Sequence, residues 1–242
     1  MNFNHSLILA TDLDGTLLGG SERQRVEFYQ YLQEQRNRIL LVYVTGRELD
    51  CIKTLYKEPG IPKPDYIIAD VGTTIVYGES FEPISVLQNW VRQTWGNANN
   101  YVKELLNNEP GIKLQPVTTN YRVSYFYEPG LLQDSTLQKA VNAGFDYILS
   151  DDAYFDVMPK GISKGSTLLR LLAEMNFNSE DTIVCGDTLN DLSLFETGLK
   201  GIAVGNSEPK LVTKIQAMEN VYYSSYPGAT GIWDGLKIYG KD

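Results

Sequence analysis

The stretch around which the chain is organised is Leu7-Ile8-Leu9-Ala10-Thr11-Asp12-Leu13-Asp14-Gly15-Thr16. Its unbroken apolar beginning is typical of a strand buried on both faces, as in a parallel sheet covered by helices. Two carboxylates follow, and α/β sheets bind their ligands beyond the carboxyl ends of the strands. Strand alternation would point Asp12 and Asp14 the same way, and a cation or a shared proton would relieve their repulsion. A solvated Asp-Gly turn is the alternative.

The composition is that of an ordinary globular chain and argues against several classes of function. The 242 residues are 43% hydrophobic, and the formal net charge of −9 argues against a nucleic-acid partner. A single histidine, His5, argues against a histidine-based triad or zinc site. Cys51 and Cys185 have no metal-ligand spacing, so we expect free thiols in a reducing cytoplasm. We expect no secretion signal and no membrane segment, because no apolar run approaches the ~20 residues that span a bilayer.

The order of predicted elements indicates an α/β fold with an insertion. Strands are predicted at 7–11, 39–44 and 66–69, with helices at 21–37 and 48–56 between them. This alternation implies right-handed crossovers and a parallel sheet. The same pattern resumes after residue 160. We therefore expect residues 1–80 and 161–242 to form the core, and residues 81–160 to form a separate α+β module.

Some expectations concern local detail. Ser21 is expected to cap the first helix, whose buried side would hold Val26, Tyr29 and Leu32 or their neighbours. The helix predicted from Ser163 to about Glu174 would bury four leucines, Leu168, Leu169, Leu171 and Leu172. Within the inserted block the pattern predicts two helices and several alternating strands, one of them at 120–127.

Polar side chains follow five of the predicted strands. They are Asp12 with Asp14, Thr45 with Gly46, Asp70, Asp187 with Asp191, and Asn206. Because parallel strands end at one edge of the sheet, five such endings predict a cleft. Three of these aspartates, Asp12, Asp14 and Asp187, supply hard oxygen ligands with no soft or nitrogen ligand nearby, which favours Mg²⁺. A carboxylate can also act as nucleophile and its neighbour as general acid and base, while Thr45, Lys164 and Asn190 can stabilise a phosphoryl group in transfer.

Each of these residues also has an ordinary structural interpretation. Lys164 could be a surface lysine at a helix start, although the helix dipole disfavours a cation there. Thr45-Gly46 could be a plain turn. Asp187 could cap the following helix, and Asp191 could be a solvated acid in its first turn. The coincidence of all of them at matching strand ends favours a site.

Four groups of the polar residues described above occur in the order of the four sequence motifs of the haloacid dehalogenase superfamily of phosphotransferases, and the chain resembles that family. Asp12-Leu13-Asp14-Gly15-Thr16 matches its motif one and Thr45-Gly46-Arg47 its motif two. Lys164 matches motif three, and Gly186-Asp187-Thr188-Leu189-Asn190-Asp191 matches motif four. The resemblance implies a Rossmann-like α/β core, a parallel sheet flanked by helices.

The resemblance also implies a role for each motif residue. Asp12 would be the nucleophile and a Mg²⁺ ligand. Asp14 would be the general acid and base and would bind the ion through its backbone carbonyl. Asp187 would bind Mg²⁺ with support from Asp191. Phosphate would be held by Thr45, Gly46, Lys164 and Asn190.

The insertion lies between motifs two and three, which resembles the cap of type C2, of the smaller B kind. Three further segments resemble the sucrose-phosphate phosphatases and relatives that act on mannosylfructose phosphate: 64–73, 155–160 and 204–209. This resemblance implies sugar contacts from Arg47, Arg122, Ser124, Asp156 and Lys160. An ordinary strand with one exposed basic residue is the alternative for 122–127.

The resemblance implies a Mg²⁺-dependent phosphatase of a phosphorylated disaccharide or similar glycoside, with sucrose 6-phosphate as first candidate and an aspartyl phosphate as intermediate. Mannosylfructose, glucosylglycerol and glucosylglycerate phosphates are alternative substrates. A phosphomannomutase-like mutase is a second enzyme class, and a non-enzymatic receiver domain is a third interpretation that the length and the insertion disfavour. We expect a monomer, with a glycosyltransferase that supplies the substrate as a candidate partner.

Overall fold

The computed structural model describes residues 5–117 and 119–242. Residues 1–4, the start of the predicted core, and residue 118 lie outside the described residues. The strands are β1 (Leu7–Thr11), β2 (Ile39–Val44), β3 (Tyr66–Ala69), β4 (Thr74–Tyr77), β5 (Ile112–Leu114), β6 (Val123–Tyr127), β7 (Asp146–Ser150), β8 (Tyr154–Met158), β9 (Thr182–Gly186), β10 (Lys200–Ala203) and β11 (Val221–Tyr223). The helices are α1 (Glu22–Glu34), α2 (Leu49–Leu55), α3 (Ser85–Trp95), α4 (Ala98–Leu105), α5 (Asp134–Asn142), α6 (Lys164–Glu174), α7 (Leu192–Phe195), α8 (Pro209–Ile215) and α9 (Gly228–Ile238).

The larger sheet has β1 near its centre. Within the described residues its strand order is β11-β10-β9-β1-β2-β3-β4. Every neighbouring pair is parallel except β3 and β4, which are antiparallel. The predicted α/β fold with a parallel sheet is confirmed.

Both faces of the larger sheet are buried. Leu7 and Leu9 of β1 pack into one apolar cluster, together with side chains of α1, α2 and α9. Ile8 and Ala10 pack into a second cluster on the opposite face, together with α3, α6, α7 and α8. Burial on both faces explains why the sequence of β1 is apolar without alternation.

A smaller antiparallel sheet has the strand order β5-β6-β8-β7. Its apolar face packs against α4 and α5 in a third cluster, to which β6 contributes Val123 and Tyr125. Because side chains alternate along a strand, Arg122 and Ser124 lie on the other face. That face is turned toward the carboxyl ends of β1, β2 and β9.

The structure corrects three local expectations. Val26 is 58% exposed, because it lies about 200° around α1 from Phe28, which is buried with Tyr29 and Leu32. Leu169 is 40% exposed, since Leu168, Leu171 and Leu172 already form the buried face of α6.

The third concerns the number of helices in the block 81–160. Its described residues contain three helices, α3, α4 and α5, and not two. Gly96, with a φ of +60°, follows α3 and separates it from α4.

The start of α3 packs on the larger sheet. Its Leu87 and Val91 belong to the second cluster, whereas Trp95 at its end belongs to the cluster of the smaller sheet. The boundary of the inserted module at residue 81 therefore stays a prediction. None of the helices among the described residues is long and apolar enough to cross a membrane.

Candidate active site

The end of β1 brings Asp12 to the edge of the larger sheet. The backbone N–H of Asp12 donates to the carbonyl of Cys185 on β9 at 2.9 Å, so Asp12 still lies beside the neighbouring strand. Its side chain is buried. β9 ends at Gly186, and Asp187 follows it at the same edge. The topology thus places these two carboxylates next to each other, as the strand-end pattern predicted.

Asp12, Asp187 and Asp191 form a buried cluster. Their nearest carboxylate oxygens lie within 4.8 Å of one another. Lys164, at the start of α6, reaches this cluster with its ammonium group and donates to Asp12 at 2.7 Å and to Asp191 at 2.5 Å. The same ammonium donates to the amide oxygen of Asn190 at 2.5 Å. Lys164 is completely buried, so it is not the surface lysine of the alternative interpretation.

Asp191 fixes the shape of the loop 187–191. Its second carboxylate oxygen accepts hydrogen bonds from the backbone N–H groups of Asp187 at 3.0 Å and Thr188 at 3.1 Å. Its first oxygen accepts from Lys164. With both oxygens in use and no exposed surface, Asp191 stabilises the loop that carries Asp187 and Asn190.

Asp187 is oriented by contacts from two directions. The hydroxyl of Thr16 donates to Asp187 Oδ1 at 2.6 Å. Asn206, after β10, donates through Nδ2 to Asp187 Oδ2 at 3.3 Å and to the carbonyl of Gly15 at 3.0 Å. Gly15 has a φ of +76°, and a Cβ there would lie 2.1 Å from Asp187 Oδ2. The turn after β1 therefore requires glycine both for its backbone and for the space that Asp187 occupies.

The electrostatics of the cluster follow from burial. Burial raises the pKa of Asp12 well above its usual value; Lys164 opposes this shift, and the charges of Asp191 and Asp187 add to it. Burial and the charge of Asp191 raise the pKa of Asp187 to about 7. Burial alone would lower the pKa of Lys164, but the carboxylates of Asp12 and Asp191 outweigh it and raise that pKa above its ordinary value.

The donor set fits a divalent cation. Three buried carboxylates face a single ammonium group, which leaves an excess of negative charge where solvent cannot stabilise it. Hard carboxylate oxygens are the ligands that Mg²⁺ prefers. Asp12 and Asp187, which both line the cavity, are the residues of this cluster that could hold the ion.

Asp14 lies apart from this cluster. β1 ends at Thr11, and residues 13–17 form a wide turn in which Asp14 has extended backbone angles. Strand alternation therefore does not extend to Asp14, and the prediction that Asp12 and Asp14 point the same way is wrong. Arg47 donates to both oxygens of Asp14, from Nε at 2.7 Å and from Nη2 at 2.6 Å. Asp14 and Asp12 nevertheless line the same cavity.

The loop after β2 forms the next part of the edge. The backbone N–H of Thr45 donates to Ile68, and its carbonyl accepts from Val71, so the loop is tied to β3 and the turn that follows it. The Thr45 hydroxyl is buried and accepts from the N–H of Arg47 at 3.1 Å. Gly46 lines the cavity, and a Cβ there would meet no atom closer than 3.9 Å.

Arg122 of the smaller sheet reaches across to the larger one. Its Nη2 donates to the carbonyl of Gly46 at 3.1 Å and lies 3.4 Å from Asp70 Oδ1. Its Nη1 donates to Asp156 at 2.9 Å, and the hydroxyl of Ser124 donates to the same oxygen. Arg122 is buried, so it is not the exposed basic residue of the alternative interpretation.

Asp70 is a contact of Arg122 on the core side of the cavity. Its other oxygen accepts from the hydroxyl of Thr74 at 2.7 Å. Burial raises the pKa of Asp70, and the charge of Arg122 opposes the shift. Asp70 and Val71 both have positive φ, 53° and 59°, a conformation that is strained for a β-branched residue such as valine.

A cavity of about 640 Å³ lies between the two sheets. The core contributes the following predicted site residues to its lining: Asp12, Asp14, Gly46, Arg47, Asp187 and Asn190. From the smaller sheet come Arg122 and Asp156, together with Gln115, Ser150, Asp151 and Tyr154, which the sequence analysis did not select. The volume lies within the range of small-molecule sites, about 300–1,000 Å³.

Five predicted residues are not part of this lining. Four of them lie behind it, each in contact with a lining residue: Thr45, Ser124, Lys164 and Asp191. The fifth lies away from the cavity. Lys160 is exposed, and its ammonium pairs with Asp146 at 2.5 Å at the far end of β7. Among the residues that the sequence analysis missed, Tyr154 and Ser150 could have been found. Tyr154 lies two residues from Asp156 on β8, and Ser150 is its partner on β7, so all three share one face.

The sequence of the chain matches a known family over nearly its whole length. Residues 5–240 match the model of the family described as sucrose-6F-phosphate phosphohydrolase. A glucosylglycerol-phosphate synthase from Pseudomonas anguilliseptica is 36% identical over 97% of the chain, which spans 31% of that relative. A mannosylfructose-phosphate phosphatase from Agrobacterium fabrum is 29% identical, with 96% of each protein covered. Sucrose-phosphatase 1 from Nicotiana tabacum is 31% identical over 85% of the chain, which spans 52% of that protein.

The fold matches a solved structure as well. The sucrose-phosphatase of Synechocystis, determined in complex with sucrose and phosphate, superposes with a TM-score of 0.88 at 24% identity and 98% coverage of both chains. Several solved haloacid dehalogenase-like hydrolases, including one from Bacillus subtilis with a TM-score of 0.68, share the fold. Because the family model matches almost the whole chain, the chain belongs to the sucrose-6F-phosphate phosphohydrolase family, within the haloacid dehalogenase superfamily.

Proposed function

We propose that the protein is a Mg²⁺-dependent phosphatase that hydrolyses a glycosyl phosphate through an aspartyl phosphate, with sucrose 6-phosphate as the first candidate substrate. The observation that carries the proposal is the buried cluster of Asp12, Lys164 and Asp187 at the floor of the cavity. It joins a candidate nucleophile, a fixed cation and a candidate metal ligand in one place. The family match supports the glycosyl phosphate as substrate class.

In the proposed first step, a carboxylate oxygen of Asp12 attacks phosphorus. The bond from phosphorus to the sugar oxygen breaks, and Asp14 donates a proton to that oxygen. In the second step, a water molecule attacks the phosphorus of the aspartyl phosphate and loses a proton to Asp14. The bond from phosphorus to Asp12 then breaks and inorganic phosphate leaves. Arg47 holds the Asp14 carboxylate at the cavity wall between these events.

Asp12, Asp187 and the backbone carbonyl of Asp14 would hold Mg²⁺, with Asp191 supporting the loop behind them. The ion would neutralise part of the charge on the phosphoryl oxygens. Thr45, Gly46, Lys164 and Asn190 would bind the remaining oxygens. Lys164 suits this role because Asp12 and Asp191 keep it protonated although it is buried.

The sugar would bind beneath the smaller sheet, with residues 81–160 acting as a cap. Arg122, Ser124 and Asp156 form a hydrogen-bonded group there that presents donors and acceptors, as a sugar requires. Arg47 would contact the substrate from the core side. Lys160 is left out of the proposed sugar site because its ammonium pairs with Asp146 outside the cavity.

Glucosylglycerol phosphate is the second candidate substrate. The relative with 36% identity carries that phosphate in its name, and the chain matches about a third of it. Mannosylfructose phosphate is supported by a relative that matches from end to end. We also propose that the protein is a cytoplasmic monomer and that a glycosyltransferase supplies its substrate.

Phosphate release across a panel tests the proposal. The panel holds sucrose 6-phosphate, mannosylfructose phosphate, glucosylglycerol and glucosylglycerate phosphates, glucose 6-phosphate and mannose 1-phosphate, each with Mg²⁺ and with a chelator. Release from sucrose 6-phosphate that the chelator abolishes is the expected result, and preference for another glycoside would change the substrate but keep the mechanism. Isomerisation of mannose 1-phosphate without phosphate release would indicate a mutase and contradict the proposal.

A further inference from the structure

Glu208, which directly precedes α8, contacts two separate loops with one carboxylate. Its Oε2 accepts a hydrogen bond from the backbone N–H of Leu189 at 2.9 Å. Its Oε1 accepts from the backbone N–H of Asp151 at 3.2 Å. In addition, the backbone N–H of Glu208 donates to the carbonyl of Asp187 at 2.8 Å. Glu208 therefore joins the loop after β9 to the turn between β7 and β8.

Both loops belong to the walls of the cavity. The loop at 187–191 carries Asp187 and Asn190, which line the core side. The turn begins at Asp151, which lines the opposite side between Ser150 and Tyr154. A change in the position of the smaller sheet would thus pull on the same carboxylate that holds the backbone of the loop at 187–191.

The carboxylate of Glu208 is not needed for its own helix. α8 starts with Pro209, which lacks an N–H, and no side-chain hydrogen bond caps this helix. The carboxylate instead satisfies two backbone donors in loops far apart in sequence.

A second contact joins the start of α8 to the turn between β7 and β8, and it is weaker. Lys210 pairs with Asp152, and both side chains are more than half exposed, 61% and 58%. Exposed pairs of this type contribute little. On the other side of the cavity, Arg122 contacts the carbonyl of Gly46, in the loop after β2 that is also proposed to bind phosphate.

We propose that Glu208 is a positioning residue that couples the placement of the smaller sheet over the substrate to the placement of Asp187 and Asn190. The inference rests on the proposed phosphatase function. When the sugar holds the smaller sheet in place, Glu208 transmits that placement through Leu189 to the catalytic loop. A substrate without a sugar gains nothing from this connection.

Steady-state kinetics of Glu208→Ala, with the best glycosyl phosphate of the panel and with p-nitrophenyl phosphate, test the coupling. We expect kcat/KM to fall about 100-fold for the glycosyl phosphate, mainly through kcat, and about tenfold or less for the aryl phosphate. Glu208→Gln, which keeps one acceptor oxygen, should lie between Glu208→Ala and the wild type. Lys210→Ala is the matched control and should behave as the wild type with both substrates.

An equal loss of kcat/KM with the two substrates would show that Glu208 only holds the loop. No loss of kcat/KM would show that the contacts of Glu208 do not affect catalysis. Either result overturns the inference. Hydrogen exchange of residues 187–191 gives a second readout that does not need turnover. Sucrose, or the glycoside of the best substrate, should slow this exchange in the wild type and not in Glu208→Ala. Equal protection in both would also overturn the inference. Absence of phosphate release by the wild type would instead reject the proposed function.

Discussion

The ammonium of Lys164 lies 2.7 Å from the carboxylate of Asp12, and both side chains are withdrawn from solvent. The same ammonium lies 2.5 Å from Asp191. The negative charges of two buried carboxylates are thus compensated by a single ammonium group. This arrangement links the stability of the fold to the chemistry of the site, because the groups that hold charge there are also the groups proposed to react.

Replacement of Lys164 by methionine should destabilise the protein strongly. Removing one partner leaves buried charge without compensation, which costs about 3–5 kcal/mol. Mg²⁺ should restore part of the loss, because the carboxylates then have a cation again. Chemical denaturation with and without Mg²⁺ measures both effects.

Lys160→Met is the matched control for this variant. Lys160 pairs with Asp146, but its side chain is 66% exposed, so the change should cost less than about 1 kcal/mol. Equal stability of the two lysine variants would contradict the account of the buried cluster.

A Gly15→Ala variant should lose activity although no reacting group is removed. The new Cβ would lie 2.1 Å from Asp187 Oδ2 and would displace that carboxylate. Since a displacement of about 1 Å can cost about 100-fold in rate, we expect a loss of at least that size and a higher Mg²⁺ requirement. Phosphate release as a function of Mg²⁺ concentration is the measurement.

Gly60→Ala separates this clash from backbone strain. Gly60 has a similar φ of +81°, yet a Cβ there would meet no atom within 4 Å. The variant should lose about 1 kcal/mol of stability and keep its activity. Wild-type activity in Gly15→Ala, or inactivity in Gly60→Ala, would show that the geometry around Asp187 is misjudged.

The pH dependence of stability should change when Asp70 becomes asparagine. Burial raises the pKa of Asp70, so folding favours the protonated carboxyl, and its contribution to stability falls as the pH rises from about 4 through the folded-state pKa. Asparagine does not titrate, so its contribution to stability does not change with pH in this range. The stability of Asp70→Asn relative to the wild type should therefore be higher at pH 7.5 than at pH 4.5, as measured by denaturation at both values. A stability difference that is the same at both pH values, or lower at pH 7.5 than at pH 4.5, would contradict the predicted direction.

The role of Asp14 predicts a dependence on the leaving group. An Asp14→Asn variant cannot protonate the sugar oxygen, so kcat for a glycosyl phosphate should fall about 100- to 10,000-fold. The nitrophenolate of p-nitrophenyl phosphate leaves without a proton, so formation of the aspartyl phosphate should be nearly normal in a rapid-mixing experiment. Equal impairment of that first step with both substrates would argue that Asp14 has another role.

The sequence predicted the fold where local pattern alone determines it. The uninterrupted apolar run of β1 reflects burial on both faces, and the side chains at the strand ends meet because the strands are parallel. Helix details failed where the pattern did not determine which side of the helix is buried, as at Val26, which lies about 200° around α1 from the buried Phe28.

Contacts between residues far apart in sequence could not be predicted in this way. The pairing of Asp14 with Arg47 depends on where the turn after β1 leaves the strand. The contacts of Glu208 depend on the placement of the smaller sheet, and no local pattern carries that information. These are tertiary relationships, set by packing and not by periodicity.

The most direct test of the central claim is to trap the phosphoryl group on the protein. Wild type and Asp14→Asn are mixed with p-nitrophenyl phosphate that carries a labelled phosphoryl group, quenched in acid within milliseconds and digested for mass spectrometry. The account predicts a hydroxylamine-sensitive label on Asp12 that accumulates more in Asp14→Asn, with none in Asp12→Asn. Free phosphate released without any protein-bound label, or a label on a different residue, would contradict it.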